Sequence, residues 1–286
     1  MQNQMRLDHV VINVRDDMDF AEGLFAKLGF TVTPRGHHTL GSINHLMMFG
    51  TDYMELIGFP VGGIVNGQNT RADLTTAAFG INGLVFKTEN VDQTYEELLR
   101  LNMDGDPPKA FSRPVDLDGK KLDAKFRTVT ARSDVFPEGR VYFCEHGTPE
   151  LVWRAEWQEH TNKAKVVSEV VIAASDPDFT AKNYENLVGS RIEENINGKR
   201  VTLSDGACLT VCSEEQYKSR YGKLASELGS RSAIFGALVF RSEHKLTEFP
   251  KPDQGLNDLS IEETSDSLVI RVSKYDSILE FVGTND

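Results

Sequence analysis

The chain has 286 residues, of which 40% are hydrophobic and 26% charged, enough for one large domain or two of ordinary size. Its net charge of −12 repels phosphate backbones and argues against nucleic acid as a partner, and no run approaches the roughly 20 apolar residues of a membrane helix. The N-terminus lacks the apolar region of a signal peptide, and three cysteines, Cys144, Cys208 and Cys212, make no disulfide framework, so a cytoplasmic location with reduced, buried thiols is expected.

The first element is "LDHVVINV", Leu7 to Val14. It alternates as a strand, with Val10, Ile12 and Val14 on one face and His9, Val11 and Asn13 on the other. Asp16 supplies an acidic helix cap, and "AEGLFAKLGF" reads as a short helix stopped at Gly29. In "RGHHTLGSINH", His37 and His38 read as a polar loop, the alternative being that they line the mouth of a cavity and contact an anionic or carbonyl substrate. His45 shares strand parity with Met47 and Phe49, which would turn it towards an interior cavity. "FGTDYMELIG" is a strand, a tight turn and a strand. "PVGGIVNGQNT" is a turn-rich link; it only superficially matches a phosphate loop, since Gln68 stands in place of the lysine.

A second copy begins at "INGLVFKTENVDQTYEELLRL", where Val91, Tyr95, Leu98 and Leu99 form the helical stripe. "DLDGKK" lacks the ligands of a calcium loop and reads as a hairpin turn. Arg127 follows in "AKFRTVTAR". "EHGTPELVWR" has the shape of the earlier hairpin, with Arg154 at the parity of Glu150. "EHTNKAK" then links to a segment that repeats the first at an offset of 160 residues: "VSEVVIAASDP" over "LDHVVINVRDD", with Asp176 as cap and Gly189 as stop. This third copy ends at "LSDGACLTVC". A fourth runs from "FGALVFRSE" to "SKYDSILEFVG", and Pro250 and Pro252 would shorten or break its helix. In hairpin register Glu55, Glu150 and Glu280 occupy one position of the last strand, with Leu209 in the third copy. No Gly-x-Ser-x-Gly elbow or Cys/His nucleophile pair is present.

Four copies of strand–helix–strand–strand–strand, paired as 1–160 and 161–286, resemble the vicinal oxygen chelate superfamily. "LDHVVINV", "GFTVTPRGHH" and "NHLMMFGTDYMELIGF" are similar to its glyoxalase-like domain branch. The resemblance implies an α+β fold of four βαβββ modules forming two paired incomplete eight-stranded barrels, with helices outside. It also implies a divalent metal on the concave side, held by the first and last strands of each module.

Carried over residue by residue, the first pair offers His9, Glu55, Gly83 and Glu150, and the second Glu169, Leu209, Ala237 and Glu280. A set of His9, Glu55 and Glu150 suits Zn²⁺, Mn²⁺, Fe²⁺ or Ni²⁺ and leaves positions for substrate. Either Glu55 or Glu150 would serve as general base, while His45, Arg127 and Arg154 are candidates for binding substrate. The implied function is that of a metal-dependent lyase or isomerase acting on a small molecule with vicinal oxygens. The alternatives are an extradiol-type dioxygenase, whose two-histidine, one-carboxylate set is incomplete here, and a metal-free binding protein using Tyr53, Phe143 and Trp153. The plain structural alternative is a hydrogen-bonded His9 and solvated glutamates. A one-residue slip would bring Glu145 or His146 into the site instead, and a homodimer is the expected assembly.

Overall fold

The computed structural model describes residues 5–62, 72–117, 119–242, 244–245, 249 and 257–283. Its first module runs β1 (Leu7–Arg15), α1 (Met18–Lys27), β2 (Gly36–His37), β3 (Ile43–Met48) and β4 (Tyr53–Gly58). A short α2 (Ala72–Thr76) leads into β5 (Gly80–Lys87), α3 (Val91–Leu101), β6 (Lys109–Leu117), β7 (Lys120–Thr130) and β8 (Arg140–His146). The third module comprises β9 (Val166–Ala174), α4 (Pro177–Val188), β10 (Ile192–Asn195), β11 (Gly198–Thr202) and β12 (Cys208–Ser213). Next comes α5 (Glu214–Tyr221), a helix absent from the repeat pattern, and then β13 (Ala233–Arg241), β14 (Leu259–Glu263), β15 (Ser267–Val272) and β16 (Ser277–Val282). Most of the fourth module's helix position, with Pro250 and Pro252, and most of the link at "PVGGIVNGQNT" lie outside the described residues.

Two eight-stranded sheets result, ordered β2-β3-β4-β1-β5-β8-β7-β6 and β10-β11-β12-β9-β13-β16-β15-β14. In each, the first strand of a module pairs parallel with its last strand, and the two first strands pair antiparallel at the centre. Central strands are covered on both faces, so β1 and β13 are buried at nearly every position. The first sheet curls until its edges meet: Thr39 donates its amide to the Ser112 carbonyl at 2.9 Å and accepts the Ser112 amide on Oγ1 at 3.1 Å.

The helix signals hold at α4, where the Asp176 carboxylate accepts the Phe179 amide at 3.0 Å and Gly189 closes the helix at φ 77°. At α1 the cap is Asp17 rather than Asp16, and its side chain caps no amide. The Asp17 carboxylate instead accepts the Tyr275 hydroxyl at 2.6 Å, tying the first half to the second. In α3 Leu99 is exposed, so Val91, Thr94 and Leu98 carry the buried stripe.

Among the described residues three apolar bodies form the core. The largest lies under the helices and across the seam between the sheets, where Phe30 and Phe49 meet Phe240 at 5.6 and 5.5 Å. The other two occupy the concave faces. The second concave face is packed by its own chain: Tyr217 and Tyr221 of α5 are fully buried against β9, β13 and β16. A side chain at Gly236 would collide with the Tyr217 ring, and the Tyr217 hydroxyl donates to the Gly236 carbonyl at 2.9 Å. The first concave face keeps an open cavity of about 630 Å³.

Candidate active site

The open cavity is built on the inner faces of β1, β4, β6, β7 and β8. Its residues alternate inward along each strand: Tyr53, Glu55 and Ile57 on β4, Phe111 on β6, Phe126 and Thr128 on β7, Tyr142 and Cys144 on β8. His9 enters the same wall from β1, and His38 lines it from the loop after β2.

Asp8 explains how His9 is held. Strand alternation would send Asp8 to the opposite face, but the pairing of β1 with β5 jumps from Leu7–Phe86 to His9–Val85. The extra residue makes a β-bulge, which turns the Asp8 side chain to the inner side. There one oxygen, Oδ2, lies 2.7 Å from His9 Nδ1 and 3.0 Å from His146 Nε2. Burial pushes the Asp8 carboxyl up, but His146 and His9 beside it outweigh burial and hold it well below the usual carboxylate range. An ionised carboxylate only accepts hydrogen bonds, so His9 carries its proton on Nδ1 and turns the Nε2 lone pair to the cavity. His9 is further fixed by stacking on Tyr53, with ring centroids 4.4 Å apart.

Beyond His9 Nε2 lie the Tyr142 hydroxyl at 3.1 Å and Glu55 Oε2 at 3.6 Å. The second distance is too long for a hydrogen bond. Glu55 is itself aimed: Asn44 donates to its other oxygen, Oε1, at 2.6 Å, leaving Oε2 towards His9. Two of the three ligands expected from the sequence therefore converge.

Glu150 does not join them. Strand β8 ends at His146, and Glu150 stands exposed on the 3-10 turn Pro149–Leu151. Pro149 has no amide to donate and favours a turn of this kind, so the segment taken for the final hairpin is a coil leaving the barrel. The true inward residues of the last strand are Tyr142, Cys144 and His146, one of which the slipped-register alternative named. Gly83, the expected fourth position, pairs with Val11, and a side chain there would press on Val11 at 2.8 Å.

The expected substrate residues also sit elsewhere. Arg127 points outward from β7 and makes a two-pronged ion pair with Asp92 on α3 at 2.8 and 2.9 Å. Arg154 pairs with Glu156 and lies over Trp157 in the segment after β8. His45 is buried on the helix side of β3, with Nδ1 2.7 Å from the Thr33 carbonyl and Nε2 near Arg35 and Glu22. Its parity with Met47 is correct, but that face is the outer one; Asn44 is the inward residue. Asp8, Asn44 and Tyr142 escaped the sequence reading, and only the adjacency of Asp8 to His9 could have signalled any of them.

In the second barrel, Glu169 and Glu280 do approach each other, but Arg220 of α5 takes both. Its guanidinium contacts Glu169 at 2.8 and 3.2 Å and Glu280 at 2.9 Å, and the Tyr221 hydroxyl donates to Glu280 at 2.8 Å. Burial pushes the Glu169 carboxyl up, yet Arg220 wins and holds it below its ordinary value. An arginine thus occupies the place a cation would take.

The donor chemistry of the first barrel fits a divalent ion. An imidazole lone pair and a carboxylate oxygen 3.6 Å apart on one wall are within reach of a single ion with ligand distances of about 2.0–2.2 Å. A carboxylate behind the ligating imidazole is the usual support for such a histidine. Asp8, Cys144 and His146 form a second group, with ligand atoms within 4.8 Å of one another. That group is the poorer fit, because burial, then the charges of Asp8 and Glu55, push the Cys144 thiol well above its ordinary value.

Comparison with known proteins agrees with this architecture. No curated protein matches the chain. A hypothetical protein from Staphylococcus aureus superposes with a TM-score of 0.66 at 11% identity, covering 98% of this chain and all of that one (100%). A mutant of 4-hydroxymandelate synthase from Streptomyces coelicolor gives 0.56 at 12% identity, covering 98% and 92%. A fusion of a xylose isomerase-like TIM barrel with 4-hydroxyphenylpyruvate dioxygenase gives 0.56 at 10%, covering 98% and 48%. At these identities the likeness is one of fold. The family model described as "Glyoxalase-like domain" matches residues 7–188, from the start of β1 through α4. The chain belongs to the glyoxalase-like domain family, within the vicinal oxygen chelate superfamily.

Proposed function

We propose that the first barrel is the active site of a metal-dependent enzyme of lyase or isomerase type. It acts on a small molecule that presents two neighbouring oxygens. The observation that carries this reading is the convergence of His9 Nε2 and Glu55 Oε2 on the wall of the open cavity. These two side chains would hold a divalent cation, Zn²⁺, Mn²⁺, Fe²⁺ or Ni²⁺, with the Tyr142 hydroxyl beside them. When bound, the cation supplies Lewis-acid charge that eases removal of a proton from a carbon next to the substrate oxygens.

The protein's own groups do the rest. Asp8 keeps a proton on His9 Nδ1, so that Nε2 is the nitrogen turned to the cavity. Asn44 turns Glu55 so that one carboxylate oxygen faces the cavity. The Tyr142 hydroxyl, 3.1 Å from His9, can hold or pass a proton at the substrate. Tyr53, Phe111 and Phe126 make the wall around these groups apolar.

Metal analysis after dialysis tests the reading. Wild type and Glu150→Ala should retain the ion, and His9→Ala and Glu55→Gln should lose it. Equal metal in wild type and His9→Ala would reject it. The aromatic wall of Tyr53, Phe111, Phe126 and Tyr142 favours a second reading, metal-free ligand binding. A ligand-induced rise in melting temperature that is the same with and without EDTA selects that alternative.

A further inference from the structure

The cavity of the first barrel has a second end, where β6 and β8 begin and β7 stops. There its lining includes Lys109, Arg132 and Arg140, with Asp73 and Asp106 as the acids beside them. In a chain of net charge −12, a stretch of wall with three cations to two acids runs against the overall sign. Lys109 is matched by Asp106 at 3.0 Å, and Arg132 by Asp134 at 2.6 Å. Arg140 is less fully answered. Its guanidinium makes a single hydrogen bond to a described residue, from Nη1 to Asp73 Oδ2 at 3.3 Å. A closed pair in this fold looks different: Arg127 grips Asp92 with two prongs at 2.8 and 2.9 Å. Most of the five-donor fork of Arg140 is therefore left to the cavity.

Its place relative to the site is set by Tyr142. Arg140 and Tyr142 stand two apart on β8, and both line the cavity. Arg140 Cζ lies 5.1 Å from the centre of the Tyr142 ring, and the hydroxyl of that ring is 3.1 Å from His9 Nε2. One tyrosine side chain thus spans the wall from the guanidinium to the His9–Glu55 pair. The bond to Asp73 is easily exchanged, because the two side chains are 43% and 44% exposed and a pair so placed contributes little. Asp73 itself is held independently of Arg140. Asn13 donates to the Leu74 and Ala78 carbonyls at 3.0 and 3.2 Å, which pins α2 and the residues after it to β1. Arg140 can therefore change partner without α2 moving.

We propose that Arg140 is a specificity-determining residue of the first barrel, receiving a carboxylate at the end of the substrate remote from its vicinal oxygens and taking it in place of Asp73. This rests on the reading of that barrel as the substrate site. A planar guanidinium matches a planar carboxylate with two parallel hydrogen bonds, against the one that Asp73 now makes. Asp73 is the protein's own example of the group Arg140 accepts, which favours a carboxylate over a phosphate. The substrate is then a short-chain acid. Its vicinal oxygens reach His9 and Glu55, and its far carboxylate reaches Arg140 along the Tyr142 ring.

Calorimetric titration of 2-oxoadipate against 2-oxohexanoate tests it. The two acids share their vicinal oxygens and their six carbons, and differ only in the far carboxylate. Each is titrated with Mn²⁺ present and again with EDTA, at matched ionic strength. In wild type 2-oxoadipate should bind about ten- to a hundredfold more tightly than 2-oxohexanoate under both conditions. Arg140→Met should abolish that ratio and leave the affinity for 2-oxohexanoate as in wild type, while Arg140→Lys should keep part of it. Asp73→Asn, which releases the guanidinium, should raise the ratio. Failure of the metal-dependent reading shows separately, as affinities that are the same in Mn²⁺ and EDTA with the ratio intact. A ratio of one in wild type, binding of neither acid, or a ratio kept in Arg140→Met overturns the proposal. Should Arg140→Met not fold, Asp73→Asn decides, and a ratio it fails to raise overturns the proposal equally.

Discussion

At the scale of single residues, the site turns on Asp8. One buried oxygen serves two imidazoles, His9 and His146, so its loss disturbs both. Asp8→Asn removes the charge that fixes the His9 tautomer. It should weaken metal binding about 10- to 100-fold by titration calorimetry, while Tyr142→Phe should leave affinity closer to wild type. Because the folded carboxyl is held below its ordinary value of 3.8, the stability Asp8 contributes is fully present above that pH. It is lost as pH falls further, towards the folded value. A melting series should therefore show wild type converging on Asp8→Asn only in acid below about pH 4. Sequence alternation made His9 visible but hid Asp8, since a bulge is defined by the partner strand and leaves no mark on the local pattern. Parity likewise showed that His45 and Met47 share a face without showing which face is inside, because β3 is buried on both.

Among the elements, β8 and α5 decide which expected residues belong together. The repeat reading aligned a glycine turn followed by "PELVW" with the earlier hairpins, although the strand had already ended at His146. The segment "HGTPE" imitates the tight turns of the other copies, and the register read from it places the last strand after that turn, whereas β8 lies before it. Glu150 and Arg154 consequently lie outside the barrel. Glu150→Ala and Arg154→Ala should change stability by no more than about 0.5 kcal/mol in urea unfolding and leave metal content intact. The plug in the second barrel was invisible for another reason: nothing in α5 says that Arg220 reaches Glu169 and Glu280 until the helix is docked. Arg220→Met removes the counter-charge of the half-buried Glu169 and the buried Glu280 and should cost about 3 kcal/mol in urea unfolding, without altering ligand or metal binding in the first barrel. Unchanged stability would mean that the plug is dispensable.

Over the whole molecule, the repeat was the most legible feature, because the strand–helix–strand–strand–strand order is set by local periodicity and caps that each copy retains. The seam between the two sheets was not legible, since it depends on how copies pack. It contains a reciprocal exchange: Asp52 accepts the Val167 amide at 3.0 Å, and Asp205 accepts the Leu7 amide at 2.7 Å, each acid capping the first strand of the other half. Burial raises Asp52 to about 7, and it likewise raises Glu138, which accepts the Tyr184 hydroxyl across the seam, to about 7. A carboxyl with a raised folded pKa binds its proton more tightly in the native state. Stability is therefore full near pH 4 and falls as pH rises to about 7, by at most about 3–4 kcal/mol for each group. Asp52→Asn and Glu138→Gln keep the acceptor oxygen and should flatten this slope in melting curves between pH 4 and 8.

In the first barrel a bulged Asp8 aims His9 at Glu55 beside the open cavity, while the second barrel is closed by Arg220. Anomalous diffraction from crystals soaked in Mn²⁺ tests it most directly. The predicted result is a peak between His9 Nε2 and Glu55 Oε2, with none in the second barrel. A peak at Asp8, Cys144 and His146, or at Glu169 and Glu280 with Arg220 displaced, would contradict it.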